Sequence, residues 1–149
     1  MHCYRIVREK YSHDLVASGR ANRWNHSNEF VIYAASSRSL AMLELLVHRS
    51  GIYPKSSYKI LALDCDPEKS IEEISIDQLP ADWQSLGGYA ALQSLGSDWY
   101  RAGNSLMLKI PSAIVPKEHN FIINTQHGLF TEKIKIMERE DFSWDGRLL

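Results

Sequence analysis

The sequence predicts an α+β fold, a single compact domain in which a mixed, mainly antiparallel sheet is flanked by helices. Three observations lead there. Apolar runs of strand character outnumber those with helical periodicity. Only one strand–helix–strand unit stands out, where a doubly wound parallel sheet needs several. The 149 residues contain no internal repeat, low-complexity tract or Pro/Gly/Ser-rich linker, so one domain over 1–149 is the simplest division. A chain of that length can bury a real core.

In chain order, HCYRIV is the first strand, its alternation placing Tyr4 and Ile6 on one face and Arg5 on the other. FVIYAA, residues 30–35, is the second and stops at SSRS, where Ser36 or Ser37 can cap a helix by accepting an orphan backbone N–H. That helix is expected to run to about His48 and to end before Gly51. The strand thus delivers Tyr33 and the helix delivers Glu44. Further strands are expected at YKILALDC (58–65), SLMLKIP (105–111), FIIN (121–124) and KIKIME (133–138). Residues 82–101 mix helical signals with Gly87, Gly88 and Gly96 and predict one or two short helices. SGRANRWNHSNE and DCDPEKSIEE are polar enough to be surface loops.

Composition removes several function classes. Lysine and arginine total 17 against 18 acidic residues, which gives no electrostatic case for direct binding to nucleic acid or an anionic membrane. Cys3 and Cys65 are too few for a disulfide framework, and the start MHCYRIVREK lacks the apolar core of a signal peptide. No apolar run approaches the roughly 20 residues of a membrane span. The expected location is the cytoplasm. There is no GxxxxGK[ST] loop, GxGxxG, HExxH or paired-cysteine zinc spacing, which argues against P-loop and zinc chemistry. Cys65 ends an apolar strand, where a buried, inert thiol is the common case.

What remains is a set of polar residues at the ends of apolar elements: Arg5, Arg23, Tyr33, Glu44 and Ser112. At about 100° per residue, Glu44 falls between Leu40 and Val47 with Ala41 and His48 alongside, so it does not lie on a solvated face. A carboxylate there needs a partner or a ligand. Arg5 is the natural candidate for a buried ion pair. Arg23, in NRWN, is either a surface arginine stacked on Trp24 or a two-pronged phosphate ligand. Tyr33 is either an ordinary strand aromatic with a satisfied hydroxyl or a platform for a flat ring. Ser112, between Pro111 and Pro116, is by default a turn hydroxyl bonding its own backbone. His119 and His127 are isolated and read as structural.

The order YR, RWN, VIYAA, LAMLELLVH, a tryptophan near a glycine-containing segment, IPSAIVP and N–x–x–H resembles the RES domain, over Tyr4 to about His127. That family is named for an arginine, a glutamate and a serine, and its members are toxins of bacterial toxin–antitoxin pairs. The resemblance makes Arg23, Glu44 and Ser112 the three family residues and adds Arg5 and Tyr33 to the pocket. It implies an ADP-ribosyltransferase-like fold and action on NAD, with no metal. The nicotinamide–ribose bond would be broken by hydrolysis or phosphorolysis, arresting growth. The partner it implies is an Xre-type antitoxin through which any DNA contact is made. The alternatives are transfer of ADP-ribose to a protein target, and a non-enzymatic binding module in which Glu44 and Arg5 merely pair. The chain departs from the family pattern where it has NHSNE after RWN and Asn124-Thr125 before His127, so those loops are expected to differ in shape.

Overall fold

In the computed structural model, which describes residues 1–48 and 57–148, seven strands follow in order. They are β1 His2–Arg8, β2 Val31–Ala35, β3 Tyr58–Cys65, β4 Ile71–Glu73, β5 Met107–Pro111, β6 His119–Asn124 and β7 Ile134–Phe142. The helices among the described residues are α1 Arg38–Val47, α2 Tyr89–Ala102 and the single turn α3 Phe130–Lys133. One sheet holds all seven strands in the order β4-β5-β6-β2-β1-β3-β7. Every neighbouring pair is antiparallel except β4–β5. This is the α+β domain with a mixed, mainly antiparallel sheet that the residue pattern predicts.

Period-two alternation divides the core between the two faces of the sheet. Cys3, Ile32, Ala34, Leu61, Leu63, Phe121 and Ile123 fill one face, and Leu129 and Phe130 at α3 close over it. On the other face α2 contributes Leu92 and Trp99 to a cluster with Leu108 and Ile122. On that face α1 also packs Leu40 and Ala41 against Ile6, Ala35 and Ile60. On this second face α1, the run 20–24 and strands β1 and β2 line a cleft. Cys3 and Cys65 are free thiols without solvent exposure.

The sheet is two half-sheets joined at one point. β1 pairs with β3 from His2–Asp64 to Arg8–Tyr58, and β2 pairs with β6 from Val31–Asn124 to Ala35–Asn120. Between β1 and β2 the register holds a single pair, Tyr4 and Ala35. Past it the two strands part, and the gap leaves room for side chains between them.

Several expectations are refined. Ser37 caps α1, its hydroxyl accepting from Leu40 N at 3.1 Å; the predicted stop at Gly51 lies outside the described residues. Where one or two short helices were expected over 82–101, a 3-10 turn at Leu86–Gly88 leads into the single 14-residue α2, Tyr89–Ala102. α2 tolerates Gly96 because that glycine is where the helix meets the backbone of Trp24: a Cβ would sit 1.8 Å from the Trp24 carbonyl oxygen. DCDPEKSIEE is not all loop, since Ile71–Glu73 form β4 parallel to β5. Three residues are too few for alternation to register, and the strand completes a second strand–helix–strand unit through α2. SGRANRWNHSNE is no simple surface loop either. Its Trp24, Asn25 and Glu29 are 2%, 1% and 5% exposed. Among the described residues no helix is long and apolar enough to cross a membrane.

Candidate active site

Glu44 lies two turns into the capped α1, half-buried, with its carboxylate turned towards the ends of β5 and β6. Oε1 accepts from the Ser112 hydroxyl at 2.8 Å and from Asn120 Nδ2 at 2.7 Å. Oε2 takes no hydrogen bond among the described residues. The expected pairing with Arg5 is absent, for no cation among the described residues stands within 4.0 Å of this carboxylate. The partners of the helix-face carboxylate are therefore neutral donors, which leave its charge uncompensated.

Ser112 is fully buried just after β5. Its Oγ accepts from the backbone N–H groups of Ile114 and Val115, both at 3.1 Å, while its proton goes to Glu44. The turn hydroxyl expected of Ser112 is thus present, and the same group anchors Glu44. One donor and two acceptor sites exhaust what a hydroxyl offers.

Arg5 occupies the gap where β1 leaves β2. Its Nη1 donates to the carbonyl of Tyr33 at 3.3 Å, bridging strands that no longer pair. No carboxylate among the described residues compensates it, and burial lowers its pKa from the ordinary guanidinium range to about 10. Tyr33 keeps its hydroxyl satisfied, donating to Asn25 Oδ1 at 2.6 Å and accepting from Trp24 N at 3.2 Å. Burial, the largest influence on this phenol, pushes its pKa up. Arg23 does not stack on Trp24, which is buried. Its guanidinium lies 4.7 Å from the centroid of the Tyr89 ring, and Nη1 donates to the carbonyls of Trp83 and Gln84 at 3.2 and 3.4 Å.

The loop carrying Arg23 is held from below. Asn25 Nδ2 donates to the carbonyls of Arg20 and His26, Gln93 of α2 reaches the Asn22 carbonyl, and Glu29 accepts from His26 N and from the Ser97 hydroxyl. A polar run therefore forms a rigid wall, because its asparagines and its glutamate replace the backbone partners a strand would supply.

Arg5, Arg20, Arg23, Tyr33, Glu44 and Asn120 all line one cleft of about 520 Å³, within the range of small-molecule sites. Ser112 lies behind it, reaching the cleft through Glu44. Three guanidinium groups against one carboxylate favour an anionic ligand with something for the carboxylate to hold or stabilise. Among the described residues no cluster of three or more His, Cys, Asp or Glu is placed to bind a metal ion. Sequence reasoning missed Asn120 and Arg20. A signal existed for Asn120, since asparagine is depleted in strand interiors and HNFIIN places it among apolar neighbours.

The RES domain family model matches residues 2–145 of the chain. A protein of Photorhabdus laumondii called Toxin Res is 35% identical over 150 residues, covering 98% of this chain and 96% of that one. Toxin Res of Yersinia enterocolitica is 32% identical over 152 residues, covering 99% of each. A protein of Sphingobium called Prs ADP-ribosylating toxin is 36% identical over 129 residues, 85% of this chain and 80% of its own.

Proposed function

The chain belongs to the RES domain family, and on that premise we propose that it is a toxin that consumes NAD. It would break the bond between nicotinamide and ribose, with water or phosphate taking the ADP-ribose. The observation that carries this reading is the Glu44 carboxylate, anchored through Oε1 while Oε2 has no partner among the described residues, in a cleft with three arginines.

In the proposed reaction the C1′–N bond breaks with its electron pair passing to the ring nitrogen, which neutralises the pyridinium. A good leaving group of that kind needs no general acid, so one carboxylate suffices. Charge develops on the ribose as an oxocarbenium-like cation, and Glu44 faces it with a fixed anion that needs no reorganisation. Water adds to C1′ and gives its proton to Glu44 Oε2; phosphate adds as the anion. Arg5 and Arg23 clamp the pyrophosphate, where the planar guanidinium matches two oxygens. Tyr33, braced by Asn25 and Trp24, forms the wall against which a flat ring rests. Ser112, with its hydroxyl fully engaged, acts as a positioning residue for Glu44 and not as a nucleophile.

A second reading has its own support: the Sphingobium relative is named as an ADP-ribosylating toxin, and the same cation can be trapped by a protein side chain. The binding-module alternative rested on a Glu44–Arg5 ion pair, and those two side chains have other partners. An unrestrained NAD-consuming enzyme calls for an outside inhibitor, and an Xre-type antitoxin, itself the DNA-binding member, is the partner proposed. It would present a carboxylate to the arginines that otherwise hold phosphate. The cytoplasm, where NAD and such a partner meet, is the proposed location. Incubation with NAD, with and without phosphate, followed by mass identification of products, separates the acceptors. ADP-ribose marks hydrolysis, ADP-ribose 1″-phosphate phosphorolysis, and label on protein marks transfer. Intact NAD both with and without phosphate would overturn the reading.

A further inference from the structure

Asn120 sits in β6 between Ala35 of β2 and Ile110 of β5, half-buried and part of the cleft wall. Its Nδ2 is committed to Glu44 Oε1 at 2.7 Å. That bond fixes which way round the amide lies, because reversing it would set Oδ1 against a carboxylate oxygen. The opposite end of the same amide is then left over. Oδ1 is buried and has no hydrogen-bond partner among the described residues. Buried acceptors in folded proteins are almost always paired, so an orphan in the wall of a cleft marks a place where a bound molecule brings the donor.

Glu44 Oε2 is a neighbouring acceptor without a partner among the described residues. The two lie close together, since Nδ2 and Oδ1 share one carbon and Nδ2 already touches the Glu44 carboxylate. Two neighbouring acceptors on side chains that line one cleft match two adjacent donors on a ligand, which is the arrangement of a vicinal diol. We infer that Asn120 is a specificity-determining residue of this site, its Oδ1 accepting from the 3′-hydroxyl of the nicotinamide-side ribose while Glu44 Oε2 holds the 2′-hydroxyl. The site thereby selects substrates with an intact ribose diol beside the bond to be broken. This rests on the reading of the cleft as an NAD site, and it adds a role that holding Glu44 alone would not give.

The test crosses a variant with an analogue. Nicotinamide release is measured for wild type and Asn120→Ala, each with NAD and with NAD lacking the 3′-hydroxyl of the nicotinamide ribose. A site built to bond a hydroxyl rejects the analogue without it, so wild type is expected to lose roughly 10- to 100-fold in kcat/KM on the analogue. Asn120→Ala, slower on both because Glu44 loses an anchor, is expected to treat them within about twofold of each other. If wild type cleaves both alike, or if the variant keeps the full wild-type discrimination, the inference is overturned and Asn120 serves only to hold Glu44. No cleavage of NAD by wild type would instead remove the underlying activity, a distinct failure. Should Asn120→Ala fail to fold, Asn120→Ser is read in the same way, and the wild-type comparison stands without either.

Discussion

At the scale of single residues, the cleft keeps charges that no described residue neutralises. Arg5 is the clearest case: burial lowers its pKa from the ordinary guanidinium range to about 10. A cation whose folded-state pKa lies below its unfolded value holds its proton less tightly when folded. Its charge therefore opposes folding at every pH below about 10, and the penalty fades only as pH rises beyond it. Arg5→Met should accordingly raise Tm by a few degrees at neutral pH while losing most NAD cleavage, a trade between stability and function. A variant that melts lower would show that Arg5 supports the fold. Arg23 tests geometry instead of charge. Arg23→Lys keeps the cation but cannot reproduce the fork or the contact with Tyr89, so NAD affinity should fall about 10-fold or more. Calorimetry in a Glu44→Gln background, where substrate persists, reads this directly; unchanged affinity would remove Arg23 from the phosphate site.

At the scale of elements, the site depends on two junctions. One is the parting of β1 from β2 after Tyr4–Ala35, which admits Arg5. The other is the contact of α2 with the Arg23 loop at Gly96. Gly96→Ala places a methyl 1.8 Å from the Trp24 carbonyl oxygen, which no side-chain adjustment can absorb, so helix and loop must separate. Activity should fall although Gly96 lies outside the cleft lining, and hydrogen exchange should rise in residues 20–29; full activity would show the loop to be indifferent to its support. These junctions explain what the sequence made legible. Strands with clean alternation or continuous apolar runs, such as 58–65, were readable with their boundaries, and the cap of α1 was readable to within Ser36 or Ser37, of which Ser37 supplies it. β4 was not, because three residues carry no period and its pairing with β5 is set by the α2 crossover. The loop at 20–29 looked like surface because its burial comes from polar side chains bonding backbone groups, which hydropathy does not register. In the site, Arg5, Arg23, Tyr33 and Glu44 stood out as polar residues at the ends of apolar elements, their roles came only from the family resemblance, and the structure brings them to one cleft. That Ser112 stands behind Glu44, and that Asn120 joins it there, depended on strand register that no local pattern encodes.

At the scale of the whole molecule, helices over one face of a split sheet leave a cationic cleft with a single anchored carboxylate in a chain whose overall charge is close to zero. The field is local, which suits a small dinucleotide bearing a charged pyrophosphate better than adhesion to a polyanion. If the proposed activity is the cellular one, expressing this chain alone in bacteria should lower intracellular NAD and stop growth, and co-expression with its genomic neighbour should restore both. Constant NAD beside abundant folded protein would separate the chain from that role. The most direct measurement is nicotinamide release from NAD by purified wild type and by Glu44→Gln, with circular dichroism on both. On the proposed role of Glu44, wild type releases nicotinamide and the folded variant loses about 10²- to 10³-fold, because the amide keeps the shape and removes the charge that faces the developing cation. A folded Glu44→Gln protein that releases nicotinamide at the wild-type rate would contradict it.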